Sequence, residues 1–308
     1  MKLLKYKFYI LPTLTLFFGI IFFLSFWPDK NSEKGIKTAI LNPKYENQID
    51  SIVLSKNGKE LKLFKENNIW KGSVSPSCDK ESKDFSEKKE AVFPVEQKLV
   101  KNLIEKFKKV RILYKNSDRL TMLQPFSLDD SSSFLVSYSG KNCPSASIFF
   151  GKQDFSKTMI YMRMNEKPSV FKAEDDFSAF LNNDSGFWID PYIIPRNITE
   201  PAKKIEIQKV SFISKGMRKN IIPNTEKAQA SIEKFQELRH GSVYTEVLPQ
   251  KFIGTLQIES DELSKFSMDF YERNEQDIVI FYNLDSFYYG TLVSNWTYSK
   301  ILELFENS

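Results

Sequence analysis

Residues 8–27, FYILPTLTLFFGIIFFLSFW, contain no charged side chain. At about 1.5 Å per helical residue, a run of this length spans roughly the 30 Å hydrocarbon core of a bilayer. The pattern predicts a transmembrane anchor over residues 8–28, with Pro12 one turn in, where a helix tolerates it. A cleavable signal would carry a shorter apolar region of about 7–15 residues and small residues at the cut. Leu24-Ser25-Phe26-Trp27-Pro28 presents bulky ones, so a retained anchor is expected rather than a removed leader. Lys2, Lys5 and Lys7 precede the run, and positive charge beside a span stays cytoplasmic. The expected arrangement is a cytoplasmic tail at 1–7 and an extracytoplasmic body after the single span.

Past the apolar run the chain is first polar, with scattered Gly and Pro, and residues 29–48 read as a stalk. From Ile49 the period becomes two. Ile52 and Leu54, Leu61 and Leu63, then Ile69 with Trp70 are separated by Asn57-Gly58 and Asn67-Asn68, which predicts short antiparallel strands joined by hairpins. A Ser- and Lys-rich charged loop occupies residues 75–91. In FPVEQKLVKNLIEKFKKV, Val95, Leu99, Leu103 and Phe107 fall four apart, the signature of an amphipathic helix with Pro94 in its first turn. Strand-like runs return at SFLVSYSG, SASIFFG, TMIYMRM and SVFKA, followed by a short helix candidate at EDDFSAFL.

The order then repeats. KKIEIQKVSFIS reads as strand, TEKAQASIEKFQELR as a helix with Ala228, Ile232, Phe235 and Leu238 on one side, and FIGTLQIES, KFSMDFYER, DIVIFYN and SFYYGTL as strands before a last helix in NWTYSKILELF. The expected fold class is therefore α+β: an N-terminal transmembrane helix followed by a duplicated unit of antiparallel strands with covering amphipathic helices. The expected units are residues 49–182 and 204–308, with a linker at 183–203.

Several local patterns in this order resemble a bacterial membrane-anchored family known as domain of unknown function 4340. LKLFKENNIWKGS is similar to its opening hairpin, and FPVEQKLVKNLIEKFKKVRI to its helix and following strand. FSLDD at 126–130 is similar to an aromatic-Gly-Leu-Asp turn, with Ser127 standing where Gly is usual. IFFGKQ ends a strand at Gly151, and MIYMRMNEKPSVFKAE carries a Tyr-x-Arg strand, Tyr161 and Arg163, with a hairpin to Val170-Phe171. FWIDPYIIP resembles the linker before the second half. The resemblance implies a single-span protein of the bacterial inner membrane with an extracytoplasmic α+β body. Members are often encoded beside ABC transporters of the gliding-motility type and their auxiliary subunits. It implies no reaction and supplies no catalytic residues.

Charge narrows the field. The formal net charge is +5, of which the three amino-terminal lysines supply three, so residues 29–308 carry about +2 with both signs interspersed. Nothing concentrates Lys and Arg on one stripe as a nucleic-acid binder requires, and no nucleic-acid partner is expected. Cys78 and Cys143 lie in loop-like stretches and can form a disulfide in an oxidising exterior or remain two thiols. With His240 the single histidine, neither a zinc site nor a Ser-His-Asp or Cys-His arrangement is legible, and no cofactor is expected. His240 follows the second amphipathic helix, where it can interact with the helix's carboxyl end. Asp129-Asp130 and Asp175-Asp176 supply carboxylates for glycoside hydrolysis in principle, but aspartates at turns and helix starts more often cap backbone amides.

The late aromatics are the remaining candidate. Tyr282, Tyr288 and Tyr289 lie on the last strands and Trp296 at the start of the last helix, and consecutive rings on a strand cannot all face one core. A sugar or a partner protein can use rings that face outward, whereas tyrosine on a half-exposed strand is more commonly ordinary packing. The functional expectation is a non-catalytic accessory or scaffold subunit of an ABC-transporter-type envelope complex, contacting the bilayer through residues 8–28 and a permease or auxiliary subunit through its body. The alternative is an envelope carbohydrate-binding or hydrolytic module.

Overall fold

The computed structural model describes residues 15–20, 35–75, 90–165, 167–198, 203–284 and 286–306. Its strands, in chain order, are β1 (Ile36–Thr38), β2 (Ser51–Lys56), β3 (Lys59–Glu66), β4 (Ile69–Val74), β5 (Ala91–Pro94), β6 (Arg111–Ser117), β7 (Phe134–Gly140), β8 (Cys143–Gln153) and β9 (Met159–Met164). They continue with β10 (Val170–Glu174), β11 (Lys209–Ser214), β12 (Met217–Ile221), β13 (Val243–Tyr244), β14 (Lys251–Ser260), β15 (Leu263–Glu272), β16 (Asp277–Leu284) and β17 (Phe287–Ser294). Among them lie helices α1 (Gln97–Lys108), α2 (Ser185–Trp188), α3 (Glu226–Phe235) and α4 (Asn295–Glu303). Every pairing is antiparallel, and the strands follow one another as β1-β6-β10-β9-β8-β7-β2-β3-β4-β5-β17-β16-β15-β14-β11-β12. β13 pairs with β17 in the middle of this order, on the side away from β16.

This arrangement corrects the expected fold class. The protein is mostly antiparallel sheet, 17 strands in one hydrogen-bonded system among the described residues, rather than an α+β chain of a membrane-spanning helix and a duplicated unit. No helix among the described residues is long and apolar enough to cross a membrane. Of the run at 8–28, residues 15–20 are helical and the rest lies outside the described residues. The physical reason for the single sheet is that β17 accepts strands from both halves: Tyr288 pairs with Val92 of β5, while Thr291 and Gly290 pair with Val243 and Tyr244.

Local chemistry accounts for the hairpins. Asn57 and Gly58 both have positive φ, as do Asn67 and Asn68, which is the backbone of two-residue turns whose twist matches the flanking strands. Inward side chains alternate along β2 and β3, leaving Ile52, Leu54, Leu61 and Leu63 fully buried. α1 buries Val100, Leu103, Ile104 and Phe107. Each such side chain contributes about 1.5–3 kcal/mol at most, since the unfolded chain already hides part of its apolar surface. The helix begins at Gln97, not Pro94, which ends β5. The Gln97 side chain works as a strand edge would: its Nε2 donates to the Trp70 carbonyl at 2.8 Å and its Oε1 accepts from the Trp70 N–H at 2.9 Å.

Part of the segment read as a stalk is packed into the body. Leu41 is fully buried, and its N–H donates to the Phe107 carbonyl at 2.9 Å. The stretch EDDFSAFL forms only a short 3-10 turn at Ser178–Phe180, and residues 203–207 stay outside any strand. Lys71 locks the two halves together. Buried on β4, its ammonium donates to Ser286 Oγ at 2.5 Å, pairs with Glu66, and sits 4.8 Å above the Phe287 ring.

Candidate functional site

The hairpin of β16 and β17 has two faces of opposite character, because side chains along a strand alternate. Tyr282 and Tyr289 are direct partners in the register and point inward, their rings stacked 4.4 Å apart with planes 3° from parallel. Both are fully buried, as is Thr291. His240 meets Tyr282 at a ring distance of 6.0 Å, close to edge-on, rather than capping the end of α3. Its Nδ1 lies 2.7 Å from the Gly241 carbonyl, so Nδ1 carries the proton and donates it, which leaves Nε2 an acceptor. The hydroxyl of Tyr289 and the Nε2 of His240 are shielded from solvent and make no hydrogen bond, and the hydroxyls of Tyr282 and Thr291 are shielded beside one another.

Burial sets the charge state of this cluster. It pushes both tyrosines well above their ordinary range and His240 below its own, the latter against the Gly241 bond and the charge of buried Asp190. Asp190 itself is held by the N–H groups of Tyr192, Arg196 and Asn197 at 3.1, 2.6 and 2.7 Å and by the Asn197 amide at 2.8 Å. The cluster is a neutral polar seam behind the hairpin, with the tyrosine hydroxyls and the His240 Nε2 turned away from solvent.

The outer face carries the exposed rings. Tyr288 meets Phe281 nearly edge-on at 4.6 Å, and Phe252 meets Tyr271 at 5.5 Å. In the register Tyr271 lies between Phe252 and Val279, two residues from Phe281 on the same face of β16, so the two pairs form one aromatic strip across β14–β17, with Phe252 and Tyr288 its most exposed members. Trp296 is also exposed, in the first turn of α4 with Lys300 over its ring at 5.7 Å. Of the four candidate residues, Tyr288 and Trp296 lie at the surface. Tyr282 and Tyr289 do not, because the register turns them to the inner face. Phe252, Tyr271 and Phe281 complete the strip; their alternation was visible in the sequence, but which strands lie side by side was not.

The aspartates are engaged in structural contacts. Asp129 accepts from the N–H groups of Ser131 and Ser132, and their hydroxyls hold its carboxyl down at about 2. Asp175 accepts from the N–H groups of Phe177 and Ser178 at 3.2 and 3.1 Å. Asp176 forms a 2.7 Å ion pair with buried Arg111; burial works to raise its pKa, and Arg111 and Lys109 outweigh it and hold the carboxyl low. Cys143 is buried at the start of β8, while Cys78 lies outside the described residues. Among the described residues no group of three or more His, Cys, Asp or Glu converges as metal ligands do. An open depression of about 320 Å³ on the outer face of β2, β7 and β8 is lined by Ser51, Ser137, Ser139, Ser147 and Asn165, hydroxyls and an amide with no acid or base among them.

A second cluster joins residues far apart in sequence. The Phe126–Asp130 turn docks on β8 and β9. Ser127 occupies the left-handed region, φ 56° and ψ 40°, and a Cβ on Gly151 would overlap the Phe126 carbonyl. Phe126 and Tyr161 rings lie 4.3 Å apart, and Arg163 reaches the Leu128 carbonyl and Asp130 beneath them. Residues 87–241, which contain this clasp, α1, the Asp190 segment and His240, match the family described as Domain of unknown function (DUF4340). The chain belongs to that family. Among curated proteins none matches it. The DUF4340 match ends before β14, so the aromatic strip of Phe252, Tyr271, Phe281 and Tyr288 lies wholly outside it.

Proposed function

We propose that the protein is a non-catalytic accessory or scaffold subunit of an ABC-transporter-type assembly in the cell envelope, with its body on the extracytoplasmic side. The observation that carries this reading is the aromatic strip on the outer face of β14–β17, where Phe252 and Tyr288 hold apolar rings in solvent on a rigid sheet. Aromatic rings placed this way supply large contact area at small entropic cost and are the usual anchors of protein interfaces. Membrane association is supported by the uncharged run at residues 8–27 and the lysines before it.

The test is purification of the tagged full-length chain from its own membranes in mild detergent, beside the Tyr288→Arg and Phe252→Arg variants. Recovery of a permease and its ATPase in near-equal amounts, lost in both variants while the fold persists, is the expected result. Recovery that both variants leave intact removes the strip from the interface, and recovery of the chain alone removes the transporter assembly. Retention of the chain on envelope polysaccharide, abolished by Tyr288→Arg, would replace it with the carbohydrate-binding alternative.

A further inference from the structure

At the β1 end of the sheet a second apolar surface stands in solvent. Ile112 and Tyr114 share the outer side of β6, exposed by 45% and 36%, and Val110, just before the strand and 53% exposed, continues the alternation, while Arg111 and Leu113 between them turn inward and are buried. On the neighbouring β1, Lys37 stands opposite Ile112 on this side, while Ile36, opposite Leu113, faces the other. Gly35 lies directly against this surface: a Cβ there would overlap Ile112 and meet the Tyr114 ring at 3.3 Å. An isolated exposed apolar side chain needs no explanation, but three in alternation at one end of a sheet mark a contact face.

Position in the chain identifies what meets it. The uncharged run ends at Trp27, and Gly35 follows eight residues later. Eight residues reach at most about 28 Å when fully extended, so the patch is tethered close to the most apolar stretch of the protein. Its chemistry also fits an interfacial position, with aliphatic side chains beside a tyrosine and Lys37 opposite Ile112 in the register. Of the neighbouring cations, Lys109 pairs with Glu174 and Asp176, Lys115 with Asp118 and Lys172 with Asp154, so the apolar side chains supply the driving term and Lys37 adds attraction to a headgroup. We propose that the outer side of β6 and β1 rests on the lipid bilayer, so that the body lies against the membrane at its β1 end. This proposal rests on the membrane association put forward above and adds an orientation to it.

The experiment uses the full-length chain in phosphatidylcholine nanodiscs, with Cys78→Ser and Cys143→Ala as background and a nitroxide at Ile112→Cys or, at the other end of the strand order, Lys219→Cys. Collision with oxygen is compared with collision with a water-soluble nickel chelate, and circular dichroism checks each labelled protein. The expected result is a label at residue 112 favouring oxygen at least several-fold over the label at residue 219. If both labels are equally accessible to the nickel chelate while the chain stays in the nanodisc, the orientation is overturned and membrane association stands. A residue 112 label shielded from both reagents places a second copy or another protein on the patch and also overturns it. A chain that does not enter the nanodisc overturns both.

Discussion

The side chain of Arg163 ties β9 to the turn at Leu128: its Nε donates to the Leu128 carbonyl at 2.9 Å while the guanidinium lies 3.4 Å over the Phe149 ring. A second nitrogen meets Asp130 at 2.5 Å and a third reaches the Asn165 carbonyl at 3.3 Å. Arg163→Ala would leave a buried carbonyl unpaired and an emptied slot over Phe149, at a cost of about 2–4 kcal/mol. Lysine is not a substitute, because one ammonium cannot serve three acceptors in a planar fork. Urea unfolding checks this; an unchanged midpoint for both variants would show that the clasp does not contribute to stability.

Ser127 pays for the same turn in backbone strain. A non-glycine residue in the left-handed region costs roughly 1–2 kcal/mol, part of which glycine recovers. Ser127→Gly is therefore expected to stabilise by about 0.5–1 kcal/mol. Gly151→Ala acts in the opposite direction, because its methyl group would collide with the Phe126 carbonyl. Thermal melts of the two variants should move apart; a shared direction would contradict the docking of the turn on β8.

The unpartnered hydroxyl of Tyr289 makes an unusual prediction for a polar-to-apolar change. It is buried without a hydrogen bond, so Tyr289→Phe removes a desolvated group while keeping the ring stacked on Tyr282. Stability should be unchanged or higher by up to about 1–2 kcal/mol. A loss above about 1 kcal/mol in denaturant titration would mean that the hydroxyl has a partner in the folded protein.

His240 should impose an acid limit on stability well above the carboxylate range. Burial lowers its folded pKa below the ordinary 6.5. Below pH 6.5 the unfolded chain takes up the proton that the folded chain refuses, so stability falls as pH drops from there to the folded pKa, by at most about 1.4 kcal/mol per pH unit. His240→Gln should flatten the dependence between pH 6.5 and 5.5 in denaturant titrations. A wild-type curve already flat over that interval would refute the depressed pKa.

Periodicity alone was sufficient for much of the fold. Alternation over Ile52–Leu63 with Asn57-Gly58 between determined a hairpin, and the four-residue spacing from Leu99 to Phe107 determined a helix, because both signals act within a few residues. The N-terminal boundary was less legible: Leu41 ends a three-residue apolar run too short to show a period, and its burial depends on Phe107, which α1 brings from 66 positions away. The resemblance motifs were recognisable one by one, yet their convergence on Arg163 required β8 and β9 to lie side by side.

The candidate surface divides in the same way. The sequence determined that the rings at 281–289 must split between two faces, since strand side chains alternate. Only the tertiary structure decided which face is inner, through the pairing of β17 with β13 and β5 and the seating of His240 against Tyr282. Alternation is a local property of the backbone, whereas burial depends on neighbours brought from distant parts of the chain. For the same reason period-two patterning in both halves read as two repeated units, although a single strand, β17, accepts partners from each and makes them one sheet.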